Sequence, residues 1–399
     1  MDLRDRLERM AGGGEKPGRE TAPIPVEEVV AGEVEETERG PCYRVRTEYP
    51  ERVCRGDRAL HGVLSLDSER ICVAGKDERL ESFDVRSSLF LDAETTGLAG
   101  GTGTYPFLIG VGYFMKETFV VDQLFMRDYD EEGAILSALA GLVGPRRFIV
   151  TYNGKSFDVP LIEGKMIING LTKGLGEAYN LDLLHAARRI WGRSLPDCRL
   201  NTIEECILGL LRGEDIPGDE IPERYFDYVR SGDASGLRVV FEHNRNDILT
   251  LPVLLGRVCK TIGDADSQDL KALDLYSIGR VYDSMKRRDE TLLFYTQAVK
   301  LLRGSEKLMV ECRLGMVYKR LNRWEDAVST WTGLLGKGIY EPYEELAKYY
   351  EHVSKELARA RDIVQDALES FGGTRMDGSL RHRLTRIEKK LSSGGGVED

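Results

Sequence analysis

Apolar residues in the middle of the chain follow two different spacings, and these spacings predict an ordered series of strands and helices. Short apolar runs predict strands over 88–94, 105–114, 118–126 and 147–152. Helical spacing predicts helices near 130–143, 158–168, 182–191, 201–211 and 236–258. Tight links between the first three strands favour an antiparallel meander. The pattern therefore predicts an α/β domain over 87–260.

A second pattern follows a polar linker and predicts a helical domain over 270–390. Three residues recur after 36 positions: Gly279, Tyr282 and Arg287 return as Gly315, Tyr318 and Arg323. A small residue where helices cross, with an aromatic residue one turn later, is similar to the tetratricopeptide repeat. We therefore predict tetratricopeptide-like helical hairpins, which could hold a protein partner on their concave surface.

The two ends of the chain and the segment before the sheet have weaker patterns. Residues 1–40 are rich in Gly, Pro and Glu, and they predict a disordered acidic segment. Residues 41–86 contain short alternating pieces and predict a small β-rich lead-in. Residues 391–399 predict a disordered tail.

Composition narrows the possible function without fixing it. The net charge of −11 argues against a protein that holds nucleic acid by bulk electrostatics, although 11 acidic and 6 basic residues of the first 40 supply much of that charge. No apolar run reaches the roughly 18 residues of a membrane-spanning helix, and the start of the chain lacks a signal peptide. Seven scattered cysteines form no Cys-x-x-Cys pair, which indicates a reducing, cytoplasmic location.

Acidic residues in unusual places are the main indication of chemistry. Asp92 and Glu94 interrupt the apolar run of the first predicted strand, two residues apart and therefore on one face. Buried carboxylates that face each other repel, and a divalent cation such as Mg²⁺ relieves the repulsion. Asp158 follows the fourth strand, and Asp247 lies in a late helix, one turn after His243. Taken singly, Asp158 is equally typical of a helix start and Asp247 of a solvated helix face.

The order of these motifs along the chain, and the strands and helices on which they lie, resemble those of the DEDD exonuclease superfamily, which has a ribonuclease H-like fold. The resemblance covers about 87–258 and lies in Asp92-x-Glu94-Thr-Thr-Gly, in the stretch from Asn153 to Asp158, and in His243-x-x-x-Asp247. The chain also resembles the YprB-like branch, in which a nuclease domain precedes tetratricopeptide repeats. This resemblance lies in the stretches Thr95 to Tyr105, Tyr152 to Asp158 and Leu181 to Arg188. The implied fold is a mixed sheet of three antiparallel and then parallel strands, flanked by helices.

The resemblance implies a 3′–5′ exonuclease that hydrolyses single-stranded or frayed DNA or RNA with two Mg²⁺ or Mn²⁺ ions. The implied metal ligands are the four carboxylates of Asp92, Glu94, Asp158 and Asp247. His243 would orient or deprotonate the attacking water. The superfamily usually has a His with four intervening residues or a Tyr with three, whereas this chain has a His with three. A structural histidine is therefore an equal alternative for His243.

Two other functions remain open. A non-catalytic adaptor would use the repeats to bind a protein, with the first domain as a relic, although all four acidic positions are filled. A structure-specific endonuclease could use the same fold.

Some residues near these motifs have two interpretations. Asp182 is predicted as a helix N-cap rather than a metal ligand. Basic residues that could hold phosphates, or simply be solvated, are Lys155, Arg188, Arg189 and Arg199. Aromatic residues that could stack on bases, although core packing is the default, are Tyr105, Phe107, Tyr152 and Phe157.

Overall fold

The computed structural model describes residues 22–50, 54–55, 58–97, 103–144, 146–171, 174–213 and 215–394. The strands are β1 Glu33–Thr37, β2 Gly40–Tyr49, β3 Cys54–Arg55, β4 Arg58–Ala59, β5 Ser88–Thr95, β6 Pro106–Met115, β7 Thr118–Phe125, β8 Phe148–Thr151 and β9 Tyr179–Asp182. The α-helices up to residue 263 are α1 Val26–Val29, α2 Ser68–Gly75, α3 Glu132–Val143, α4 Asp158–Ile168, α5 Leu183–Trp191, α6 Leu200–Ile203, α7 Ile221–Ser231 and α8 Arg238–Gly263.

A seven-stranded mixed sheet forms the centre of the first domain. Its order is β1-β2-β7-β6-β5-β8-β9. β1, β2, β7, β6 and β5 pair antiparallel, whereas β5 pairs parallel with β8 and β8 pairs parallel with β9. The five strands from β5 to β9 therefore contain the predicted meander followed by parallel strands, and the ribonuclease H-like fold class is confirmed.

Alternating side chains of β5 enter two apolar cores on opposite faces of the sheet. Phe90 packs in the core with α2, α5 and the C-terminal half of α8. Leu89 and Leu91 pack in the other core, with α3, α4 and α7. The parallel strands are consequently covered on both faces, as parallel sheets usually are.

The structure corrects several predicted boundaries. Residues 33–37, within the predicted disordered segment, form the edge strand β1, where glutamates are tolerated because only one side of the strand is paired. β2 lies in the main sheet rather than in a separate lead-in. The helix predicted over 201–211 ends at Ile203 and continues as a π-helical turn, Glu204–Leu208. The predicted tail begins inside a helix that ends at Gly394. Residues 1–21, 98–102 and 395–399, on which other predictions fall, lie outside the described residues.

The C-terminal region is helical, as predicted. Its α-helices are α9 Ala272–Ser284, α10 Arg288–Leu301, α11 Gly304–Arg320, α12 Trp324–Thr332, α13 Glu341–Lys348, α14 Leu357–Phe371 and α15 Asp377–Gly394. Gly279 and Gly315 occupy equivalent helix crossings: a Cβ would meet the ring of Tyr295 in the first and that of Trp331 in the second. Tyr295 and Trp331 are also 36 residues apart, so the repeat in sequence is a repeat in packing.

The first helices of the C-terminal region pack in the same apolar core as one face of the α/β domain. Trp191 of α5 and Tyr276 of α9 belong to the same apolar cluster. Ser194 Oγ donates to Asp274 Oδ1 at 2.5 Å, and the Tyr282 hydroxyl donates to the carbonyl of Ile262 at 3.1 Å. In the part of the chain that is described, none of the helices combines the length and apolar composition that crossing a membrane requires.

Candidate active site

β5 supplies two of the predicted acidic residues. Residues 88–91 are buried in the sheet, whereas Asp92 and Glu94 lie in the partly exposed second half of the strand. Both carboxylates are on one face because alternate side chains of a strand point to the same side. The pairing of β5 with β6 shifts register after Glu94, so regular pairing ends beside the two acids.

Two glycines of β6 allow α8 to lie directly against this face. A Cβ on Gly110 would stand 2.9 Å from Cγ of Asn244, and one on Gly112 would stand 2.7 Å from Cγ2 of Ile248. Without these Cβ atoms, the helix approaches closely enough for Asn244 Nδ2 to donate to Asp92 Oδ2 at 3.0 Å. The pattern Gly-x-Gly inside an apolar strand was the available sequence signal for this crossing.

The same helix provides the histidine and the last acidic residue. His243 and Asp247 are one turn apart, with 3.7 Å between His243 Nε2 and Asp247 Oδ2. The three-residue spacing therefore places both side chains on one helix face. Burial of the His243 ring opposes its charged form, but the negative charges of Asp247 and Glu94 outweigh burial and raise the pKa of the ring.

Asp158 reaches the site from the first residue of α4, after the turn that follows β8. Asp182 holds this turn by accepting the backbone N–H of Asn153 at 2.8 Å, and it caps α5 by accepting an amide of the first turn of that helix. Asn153 has φ +65°, and a Cβ on Gly154 would stand 3.0 Å from Asp158 Oδ2. The predicted N-cap role of Asp182 is confirmed.

The pKa shifts show that the four acidic groups act on one another. Burial raises the pKa of Asp92 well above its ordinary range, and the charges of Asp247, Glu94 and Asp158 raise it further. Burial also raises the pKa of Glu94 to about 8 and that of Asp158 to about 7. Asp247 shifts upward for the same reason, although Arg212 opposes the shift. The groups thus share an electrostatic environment that is short of positive charge.

This donor set fits hard divalent cations. Carboxylate oxygens are the ligands that Mg²⁺ and Mn²⁺ prefer, and a cation would relieve the cost of charging these groups. Within the described residues, however, no three His, Cys, Asp or Glu side chains already form a cluster close enough to hold a metal ion.

A basic residue that sequence reasoning missed contacts the last acidic residue. Arg212 Nη2 donates to Asp247 Oδ1 at 2.5 Å, and Nε donates to Glu204 Oε2 at 2.5 Å. Arg212 Nη1 donates to Asp215 Oδ2 at 3.1 Å, and Asp215 Oδ1 lies 2.8 Å from His243 Nδ1. No spacing pattern in the loop after the π-helical turn indicated these contacts, because they depend on the fold.

A cavity of about 860 Å³ opens beside the acidic residues. Its lining includes the acidic residues Glu94 and Asp158 and the apolar residues Phe157 and Ile168. Phe157 is 56% exposed and Ile168 66% exposed. Ligand cavities of roughly 300–1,000 Å³ with apolar walls and a few polar groups are typical of small-molecule sites, so the volume leaves room for a nucleotide.

Some of the basic and aromatic residues considered for contacts with nucleic acid have structural roles, and others are exposed. Phe107 is buried against Tyr225 with 4.1 Å between ring centroids, which confirms the core-packing interpretation for this residue. Core packing is wrong for Phe157, which is exposed at the cavity. Arg189 donates to the carbonyl of Ala74 at 2.7 Å, and this contact fixes α5 against α2. Three basic candidates have exposed side chains: Lys155, Arg188 and Arg199.

The strand order, with acidic residues presented by β5, α4 and α8, defines a ribonuclease H-like protein, and the family model described as RNase_H superfamily matches residues 89–259. The Bacillus subtilis (strain 168) protein named "Uncharacterized protein YprB" is 30% identical over 322 residues, which cover 78% of this chain and 77% of that protein. The chain therefore belongs to the YprB-like family of the RNase_H superfamily. Superfamily membership supports a nucleic-acid hydrolase in general, and divalent metals are typical of such nucleases.

Proposed function

We propose that this protein is a metal-dependent 3′–5′ exonuclease that shortens single-stranded or frayed nucleic acid. One observation carries the proposal: the acidic residues of β5, α4 and α8 share one electrostatic environment beside a nucleotide-sized cavity. An adaptor that only binds nucleic acid would have no need to bury four mutually repelling carboxylates, because their charge opposes phosphate binding.

The carboxylates of Asp92, Glu94, Asp158 and Asp247 hold the ions in this proposal. When bound, two Mg²⁺ or Mn²⁺ ions supply Lewis-acid chemistry that activates water and stabilises the departing oxygen. His243 accepts the proton of the attacking water at Nε2, which is the ring nitrogen nearer to Asp247.

The cavity positions the substrate. The exposed ring of Phe157 offers a face on which the terminal base stacks, and such stacking tolerates every base. Lys155, exposed two residues before Phe157, is placed to attract the phosphate backbone. We propose an exonuclease, with 3′–5′ direction, because the acidic motifs resemble those of the DEDD exonuclease superfamily. A protein partner on the helical repeats and a cytoplasmic location stay predictions.

The test compares oligonucleotides labelled at the 5′ end and at the 3′ end, with chelator-treated protein and added Mn²⁺. We expect a ladder that shortens stepwise from the 3′ end, and we expect Asp92→Asn and Asp158→Asn to abolish it. Asp366→Asn, an exposed change on α14, serves as the matched control and leaves the rate unchanged.

Other outcomes identify the alternatives. Internal fragments that appear before any shortening would indicate the endonuclease. Binding without cleavage at any metal concentration would indicate the adaptor. Full activity of either Asn variant would show that the acidic residues do not hold the catalytic ions.

A further inference from the structure

The two ring nitrogens of His243 have different surroundings. Nδ1 lies 2.8 Å from Asp215 Oδ1, within hydrogen-bond distance. Nε2 lies 3.7 Å from Asp247 Oδ2, on the side of the acidic residues. Nδ1 is therefore bonded to Asp215, whereas Nε2 faces Asp247, one of the four predicted metal ligands.

Asp215 is held in place by two further donors. The backbone N–H of Ile216 donates to Oδ1 at 2.9 Å, and Arg212 Nη1 donates to Oδ2 at 3.1 Å. Burial of the Asp215 carboxyl acts to raise its pKa, but the contacts with His243 and Arg212 outweigh burial and lower it. An ionised carboxylate only accepts hydrogen bonds, so the hydrogen of a neutral His243 ring lies on Nδ1 and the lone pair on Nε2.

We propose that Asp215 is a positioning residue, which fixes the tautomer and orientation of His243 so that Nε2 takes the proton of the attacking water. Arg212 links this arrangement to the acidic residues, because the other arm of its fork contacts Asp247. One guanidinium therefore aligns the proton acceptor and the last predicted metal ligand with each other. The inference rests on the proposed nuclease function and adds two residues that the family motifs do not contain.

The alternative to this proposal is a salt-bridge cluster that only stabilises the loop around residue 215. Both interpretations predict some loss of activity when Asp215 is removed. They differ in whether the loss of activity depends on the presence of His243. A residue that acts through His243 has no effect once His243 is gone, whereas a structural residue still has one.

The main variants are Asp215→Ala, His243→Gln and the double variant. We expect Asp215→Ala to lower kcat about 10- to 100-fold, the usual effect of removing a group that orients another, with KM and the Kd for Mn²⁺ unchanged. The double variant should be no slower than His243→Gln alone. Multiplicative losses in the double variant would overturn the proposal.

Asp215→Asn is the conservative variant, and it guards against failure of the alanine variant to fold. The Ile216 N–H requires an oxygen at the Oδ1 position, so the amide oxygen stays there and continues to accept from Nδ1, while the NH₂ group faces Arg212. We therefore expect Asn to keep the His243 tautomer and to lose less activity than Ala. A loss of the tautomer in the Asn variant, or equal losses of activity, would contradict this geometry.

A spectroscopic measurement tests the arrangement without activity. Long-range ¹H–¹⁵N spectra of the five histidines, with His243→Gln for assignment, report which ring nitrogen of neutral His243 carries the hydrogen. We expect Nδ1–H in the wild type and a mixture in Asp215→Ala. An Nε2–H wild type would overturn the inference.

Failure of the inference and failure of the proposed function are distinguishable. A wild type with the expected tautomer that cleaves no oligonucleotide refutes the nuclease and with it the catalytic purpose of Asp215. A wild type that cleaves, and whose rate ignores Asp215→Ala, refutes the positioning role alone.

Discussion

Replacing Asp158 by Asn is expected to stabilise the metal-free protein. Burial raises the pKa of the Asp158 carboxyl from its ordinary 3.8 to about 7. Between these two pH values the folded chain keeps a proton that the unfolded chain has lost, so the free energy of unfolding decreases as the pH rises. A difference of about 3 pH units, at about 1.4 kcal/mol per unit, corresponds to about 4 kcal/mol above pH 7.

Asparagine has nearly the same shape and carries no charge, so it avoids this cost. We expect Asp158→Asn to raise the free energy of unfolding at pH 8 by as much as about 4 kcal/mol, and to change it little at pH 4. Urea unfolding followed by tryptophan fluorescence, in EDTA at several pH values, measures the difference. Added Mn²⁺ should reverse the order of stability, because it stabilises only the chain that binds it.

Asp182→Asn is a suitable control, because Asp182 lies beside the same turn but accepts backbone N–H groups. An amide cannot accept as well as a carboxylate, so this variant should be less stable, by about 1–3 kcal/mol. If Asp158→Asn were also destabilising at pH 8, or if its effect did not change with pH, the electrostatic reasoning about the site would be wrong.

Three other variants test separate parts of the structure. Gly110→Ala should push Asn244 away from Asp92, destabilise the fold by about 2–4 kcal/mol in urea unfolding and weaken Mn²⁺ binding in calorimetry. An unchanged affinity for Mn²⁺ would show that the close approach of α8 to β6 does not determine the geometry of the site. Phe157→Ala removes the exposed ring at the cavity and should raise KM about 5- to 150-fold, equivalent to stacking of about 1–3 kcal/mol. A change confined to kcat would contradict a stacking role. The Asp122 carboxylate contacts two arginines, Arg44 and Arg46, so Asp122→Asn leaves a buried guanidinium with a weaker partner. This variant should lower the free energy of unfolding in urea by about 3–5 kcal/mol. A decrease below about 1 kcal/mol would refute a stabilising role for these ion pairs.

The sequence predicted the sheet because its strands are short apolar runs with clear boundaries. Carboxylates in a buried strand need compensation, which singled out Asp92 and Glu94, and the resemblance to the DEDD motifs added Asp158 and Asp247 to the same predicted site. The structure places their elements side by side, while their role as metal ligands stays a proposal.

The rest depended on long-range contacts that spacing does not encode. β1 was predicted as disordered, because Glu-rich composition hides a strand that pairs on only one side. Arg212 and Asp215 were missed, since an arginine and an aspartate in an irregular loop are usually solvated. Their partners lie about 30 residues further along the chain, and only the folded loop brings them together.

The continuous core between α5, α8 and α9 decides where the chain can be truncated without exposing apolar side chains. A polypeptide cut after residue 263 would leave Trp191 and the end of α8 in water, so we expect it to aggregate rather than to fold as an isolated enzyme. Helices α13 to α15 close a small core of their own around Tyr343 and Val364. We therefore expect the distal hairpins to tolerate changes of length better than the proximal hairpin, because only the proximal hairpin packs in one core with α5 and α8.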